Sequence, residues 1–300
     1  MKKINFGNPI NGRKWLKLLV PYKQYGMTFH KNMDISKKYL GFSFKSNKFG
    51  LRGPNNINAD NVICGTSFAM GLSVDNGKNW YELGNFNNYF NIGMPIGPNN
   101  HINILNDLYK GKYKKIIFIY HPNIWDISKS FYKAQYNDCN IFTQMKWKTD
   151  ILSIIYLYFR WLIKEPYKKI FGLKSTFLYK GTSYDINNLY SIYNYENNSK
   201  YAKIAANQYN ELFDRFKEVV IFKVPIKEQV AHKYIKSDNL NKLNENYELM
   251  WNVFKKNIKH DNLTFIDLTE NFSMNDYLPS DTHWSEDGNK TFFTNIKEKI

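Results

Sequence analysis

Cysteine and long apolar runs are both scarce in this chain of 300 residues. The two cysteines, Cys64 and Cys139, have no metal-ligand spacing, and Cys64 falls inside an apolar run where a thiol packs as a small hydrophobe. Nothing here requires a disulfide framework or an oxidising compartment. His30, His101, His232 and His260 lack ligand spacing as well, so no metal site is expected. The longest apolar run, residues 151–163, has 13 positions and includes Ser153 and Arg160, whereas a membrane span needs about 20. The basic start Met1-Lys2-Lys3 is not followed by an apolar h-region, and the cluster at 15–20 is broken by Lys17. A cytoplasmic chain is expected. A Gly-rich phosphate loop, a nucleic-acid-binding motif, an internal repeat and a low-complexity tract are all missing. No cofactor and no nucleic-acid partner are therefore expected.

Acidic residues are also few, 26 against 42 Lys and Arg, which leaves a net charge of +16. The excess is local. Residues 1–60 hold 12 basic side chains against Asp34 and Asp60, and residues 142–180 hold eight against Asp150 and Glu165. Basic surface of this kind suits an anionic partner such as an acidic glycan or a membrane surface. The abundance of Lys, Asn, Ile and Tyr together is also what an AT-rich genome produces, so composition alone leaves the matter open.

What the chain does contain is alternation. Strands are predicted over 61–65, 89–93, 115–120, 219–224 and 263–268, and the apolar run at 116–119 has the character of a strand covered on both faces. Helical spacing predicts helices over 77–86, with Trp80, Leu83 and Phe86 on one face, and over 99–109, with Ile102, Leu105 and Leu108. Further helices are predicted over 202–218, with Ile204, Leu212 and Phe216 inward, and over 240–258 and 285–299. Strands alternating with helices imply βαβ units and a parallel sheet, hence one α/β domain over residues 61–300. Residues 1–60 read as a basic N-terminal extension packing on the core, with a short strand in Phe44-Lys45-Ser46-Asn47-Lys48-Phe49-Gly50-Leu51-Arg52 before a turn at Gly53-Pro54.

Residues 127–198 interrupt the alternation and are read as a helical insertion. The run at 151–163 fits two descriptions. It is an interfacial helix with Lys164, Lys168 and Lys169 meeting phosphates, or it is a cap buried against the core. The second is preferred because Arg160 is the one charge inside the run.

Chemistry gathers at predicted strand ends. Gly65-Thr66-Ser67 follows the first strand, Gly93 ends the second, and His121-Pro122-Asn123 follows the third. Asp281 and His283 lie in the loop between the last strand and the last helix. These positions share the carboxyl rim, where α/β proteins place their sites. A nucleophilic serine needs a base within hydrogen-bond reach, and the base needs an acid to fix its tautomer. Taken alone, the Asp-His stretch reads equally as a helix cap with an incidental histidine. His121 adjoins the site and either touches substrate or packs behind Asn123.

On these residues the chain resembles the SGNH/GDSL hydrolase superfamily, over roughly residues 45–125 and 200–300. The resemblance implies a three-layer α/β/α sandwich with a five-stranded parallel sheet of flavodoxin-like form. Gly65-Thr66-Ser67-Phe68-Ala69-Met70-Gly71 is similar to the block that carries the nucleophile, and Asn47 to Pro54 to a stretch often found upstream of it. Asn91-Ile92-Gly93 and His121-Pro122-Asn123 are similar to the blocks whose glycine N–H and asparagine amide serve the oxyanion hole, with the Ser67 N–H as third donor. Asp281 and His283 correspond to acid and base. Thr66 stands where an aspartate outside the triad is usual. One residue separates Asp281 from His283, where most members have two, and the Asp-Thr-His-Trp form looks like the acetyltransferase-like branch acting on exopolysaccharides. A main-chain carbonyl is the alternative partner for His283. The implied activity is ester hydrolysis on an O-acylated carbohydrate or another small ester. Its rivals are O-acyl transfer to a surface glycan and an inactive module that binds glycan or membrane.

Overall fold

The computed structural model describes residues 18–22, 26–37, 41–53, 56–121, 151–152, 155–156, 158–159, 162–163, 175–186 and 195–300. Two short antiparallel pairs precede the core: β1 (Leu19–Tyr22) with β2 (Gly26–Phe29), and β3 (Asp34–Ile35) with β4 (Phe44–Lys45). Leu18, Leu19, Met27, Phe29 and Phe44 are buried in the same cluster as the central strands, which fastens this basic extension to the core. The first pair was not expected, because Lys17 and Pro21 break any period-two pattern there.

The core sheet is built from β5 (Asn61–Gly65), β6 (Tyr89–Asn91), β7 (Lys115–Tyr120), β10 (Glu218–Lys223) and β11 (Leu263–Asp267). Its order is β11-β10-β7-β5-β6 and every neighbouring pair is parallel. This is the five-stranded α/β arrangement that the alternation predicts. β5 has the next strand in sequence on one side and β7 on the other, so the direction of winding reverses around it. Such a reversal opens a crevice at the strands' carboxyl ends.

Alternate residues of the central strands feed two separate cores. Val62, Cys64, Ile116, Phe118, Val219 and Ile221 face one, while Ile63, Ile117, Ile119, Val220 and Phe222 face the other. That two-sided burial is why these strands read as unbroken apolar runs. On the first face lie α2 (Pro98–Leu108) and α3 (Tyr195–Phe213); on the second lie α1 (Trp80–Leu83), α4 (Lys227–His232) and α6 (Glu286–Ile296). The long α5 (Asp238–Asn257) contributes Trp251 and Phe254 to the first core and Leu243, Tyr247 and Met250 to the second.

Several elements differ from the sequence reading. The helix predicted over 77–86 shrinks to the single turn of α1, capped by Asn79 and stopped where Asn85 takes φ 51°; Leu83 is exposed rather than inward. In α3 the inward face is Ala202, Ala205, Ala206, Tyr209, Leu212 and Phe213, and Ile204 is exposed. Leu212 and Phe216 are buried as expected; Ile204 is the one residue misplaced, because alanines fill half of the inward stripe and leave its period weak. The six-residue α4 was missed, since Lys227-Glu228-Gln229 looks polar although all three are buried.

The insertion departs furthest. Its described positions within 151–163 are helical, yet Ile151, Leu152, Ile155, Phe159, Leu162 and Ile163 are exposed, so the buried-cap reading fails for them. Nor is the insertion purely helical. β8 (Ser175–Tyr179) and β9 (Thr182–Ile186) form an antiparallel hairpin around Lys180-Gly181, where Lys180 has φ 46°. Without the usual Asn or Asp at that turn the hairpin carried little signal. No described helix is long and apolar enough to cross a membrane.

Candidate active site

β5 ends at Gly65, which has φ +138°, and a Cβ there would lie 2.7 Å from the Ile119 carbonyl oxygen. Glycine is therefore required at the exit from the strand. The chain turns at once: Met70 N–H donates to Thr66 O, and Leu72 N–H to Ser67 O. The N–H groups of Ser67, Phe68 and Ala69 precede these bonds, as the leading donors of a helical turn do. Buried Arg52 braces the turn from the lead-in stretch, donating to the carbonyls of Gly71 and Val74. Asn47 Oδ1 folds that stretch by accepting from Phe49 and Leu51 N–H.

At the mouth of this turn Ser67 Oγ lies 2.8 Å from His283 Nε2, and His283 Nδ1 lies 2.7 Å from Asp281 Oδ1. With the carboxylate accepting from Nδ1–H, the proton is fixed on that nitrogen and Nε2 is left to accept from the serine hydroxyl. Asp281 Oδ1 also accepts the His283 backbone N–H at 3.2 Å. This is an Asx turn, which spans two positions. The single intervening residue is thus what lets one oxygen hold both the ring and the main chain of His283, and no main-chain carbonyl is needed as orienter. Desolvation pushes the Asp281 carboxyl up. The His283 charge, the two hydrogen bonds from His283 and the charge on Lys227 outweigh it, and the group stays well below the usual carboxylate range.

The loop that carries the pair is tied on both sides. Leu278 N–H donates to His283 O at 3.0 Å, and Tyr277 bridges Trp284. Buried Trp284 packs against Phe68, Phe272 and Phe292 with ring centroids 4.9–5.2 Å apart. Ser285 then caps α6 by accepting from Gly288 N–H. From the hairpin, Asp185 N–H donates to Pro279 O at 2.8 Å.

Lys227, at the start of α4 and fully buried, donates from Nζ to the carbonyls of Leu278, Pro279 and Asp281 at 3.3, 3.1 and 2.9 Å. Its burial lowers its pKa, against the pull of Glu228, Asp281 and Asp185. Sequence reasoning missed this residue. Its one available signal was position, just past the carboxyl end of β10.

The remaining expected site residues fare differently. His121 follows β7 directly and its ring stacks on Phe68 at 4.9 Å, with His283 on the same phenyl ring at 5.4 Å. Desolvation, then the nearby His283 charge, pushes the His121 imidazole down to about 3, so it stays neutral at pH 7. Gly93 lies behind the turn, where a Cβ would come 2.7 Å from Ala69 Cβ. Its N–H donates to Asn91 Oδ1 at 2.8 Å, so in this arrangement it is engaged internally rather than offered to an oxyanion. Asn123 lies outside the described residues.

Among the described residues no group of three His, Cys, Asp or Glu side chains could hold a metal ion. Burial pushes the Cys64 thiol up, which keeps it protonated and inert. Ser67, His283 and Asp281 stand at the sheet's switch point in the geometry that a nucleophile, a base and an orienting acid require. Comparison of the chain with protein-family models, with curated proteins and with solved structures finds no match, so the geometry carries the functional argument.

Proposed function

We propose that this chain is a serine ester hydrolase of SGNH type that works through an acyl-enzyme on an O-acylated substrate, with acylated carbohydrate as the substrate class. The observation that carries the reading is the unbroken relay from Ser67 through His283 to Asp281, at 2.8 and 2.7 Å. Ser67 Oγ attacks the ester carbonyl carbon as its proton passes to His283 Nε2. The negative charge that develops on the carbonyl oxygen is met by the Ser67 N–H and, as the resemblance implies, by the Asn123 amide. Loss of one such donor costs about 10²–10³ in turnover. The intermediate collapses, the alcohol leaves with the proton from Nε2, and water resolves the acyl-enzyme by the same route. Neutral His121, stacked on Phe68 beside the reacting centre, adds no charge there.

The basic segments 1–60 and 142–180 support an anionic partner, either the glycan itself or a membrane surface, and we place the chain in the cytoplasm at the membrane's periphery. The decisive measurement is labelling by a fluorophosphonate serine probe together with acid release from a short-chain aryl ester and an acetylated oligosaccharide. Wild type should label and release acid, and Ser67→Ala should do neither. An unlabelled wild type that releases no acid would leave a binding module instead. Acylated glycan appearing in place of free acid when an acceptor is supplied would make the same acyl-enzyme that of a transferase.

A further inference from the structure

The described helical positions within residues 151–163 pose a question the catalytic site does not answer. Ile151, Leu152, Ile155, Phe159, Leu162 and Ile163 are 44% to 75% exposed. A helix advances about 100° per residue, which sets these six within an arc of about 120° on one side. Other large exposed apolar side chains of the described surface, such as Leu178 and Ile204, are set apart in sequence. Isolated exposed side chains are ordinary, but a continuous stripe on the order of several hundred Å² marks a contact surface.

We infer that this stretch is a membrane-surface element, lying in the plane of an anionic phospholipid leaflet with its apolar stripe inserted among the acyl chains. Length excludes a span: the 13-residue run measures about 20 Å as a helix, against a hydrocarbon core of about 30 Å. The stripe width and aromatic content match helices that insert about 5–10 Å at the headgroup boundary. Charge selects the partner. Residues 142–180 carry eight Lys and Arg against Asp150 and Glu165, and Lys164, Lys168 and Lys169 follow the run within six residues. An anionic leaflet neutralises those lysines. A second copy of the chain would instead bring a second +6 segment against the first and repel it. An element of this kind would hold the Ser67 site at a membrane, close to acylated molecules presented there.

The test is flotation of the full chain with phosphatidylcholine vesicles, with and without phosphatidylglycerol. Wild type should partition onto the anionic vesicles at least about tenfold more than onto the neutral ones, and high salt should weaken that binding. The double variant Ile155→Asp, Phe159→Asp should lose at least about tenfold of the binding while keeping its Tm, because both side chains are exposed. Exchange of Lys164, Lys168 and Lys169 for Gln should remove most of the preference for anionic vesicles. Ser67→Ala should bind as wild type does, so failure of the esterase reading leaves this test intact. Wild type that stays with the soluble fraction, or an Asp double variant that floats equally well, overturns the inference. So does a wild-type dimer in sedimentation that the double variant dissolves, which would give the stripe to a second copy.

Discussion

Lys227 Nζ donates to the main-chain oxygen of Asp281 at 2.9 Å, so a buried cation holds the backbone of the residue whose side chain orients His283. The same ammonium takes the carbonyls of Leu278 and Pro279. Lys227→Met removes all three bonds; each carbonyl left dry and without a donor costs about 1–3 kcal/mol, and relief from burying the charge offsets part of that. The loop would also lose its anchor. A displacement on the order of 1 Å can cost about 10² in rate. Steady-state kinetics on a small aryl ester should show kcat falling roughly 10–100-fold with KM nearly unchanged. A variant that melts lower but keeps its kcat would make Lys227 merely structural.

In the proposed mechanism Ser67 and His283 act on the same proton, so their losses should not add. Ser67→Ala and His283→Ala are each expected to lower kcat by about 10⁴-fold or more, and the double variant should be no slower than the worse single one. A double variant that loses the product of the two effects would mean that the 2.8 Å contact between them is not the catalytic one.

The sheet and the triad were legible for one reason. Strands buried on both faces cannot hide their apolar runs, and the residues after such strands fall on one rim whatever the helices do. The structure brings Ser67, Asp281 and His283, named from the sequence without any knowledge of their distances, within hydrogen-bond reach of one another. Other features had no such signature. The burial of Lys227 depends on carbonyls from a loop about 50 positions away, and a lysine in sequence normally reads as surface. The engagement of Gly93 N–H depends on the rotamer of Asn91, two residues earlier. In α3 the inward stripe runs through alanines, whose small side chains give a weak hydrophobic period. The run at 151–163 had a legible helix but an illegible face, because an almost wholly apolar segment looks the same whether protein or lipid covers it.

Asn91 joins two buried backbone groups, accepting from Gly93 N–H at 2.8 Å and donating to Ala69 O at 3.1 Å. Asn91→Ala leaves both unpaired, at about 1–3 kcal/mol each. Urea unfolding should therefore show a loss of about 2–6 kcal/mol. A loss below about 0.5 kcal/mol, the range of ordinary surface substitutions, would show that other groups or water take up both partners. The serine turn would then be held by Arg52 and the Gly65 bend alone.

His101 supplies a pH dependence with a definite sign. It is fully buried on α2, its Nδ1 lies 3.2 Å from the Tyr209 hydroxyl, and desolvation pushes its pKa down to about 3. In the unfolded chain a histidine titrates near about 6.5. Between those two values the unfolded state binds a proton that the native state refuses, so native stability falls as pH drops below about 6.5 and is fully present above it. From pH 7 to pH 5 one such group should cost about 2 kcal/mol. His121, depressed for the same reason but only half-buried, should add a smaller share in the same window. His101→Phe keeps the ring volume and removes the titration. It should lower stability at pH 7, since Tyr209 loses its ring partner, yet show a drop between pH 7 and pH 5 smaller than wild type's by about 2 kcal/mol. Urea melts of both proteins at the two pH values decide the matter. Equal drops would mean that His101 is not the group whose burial opposes acid.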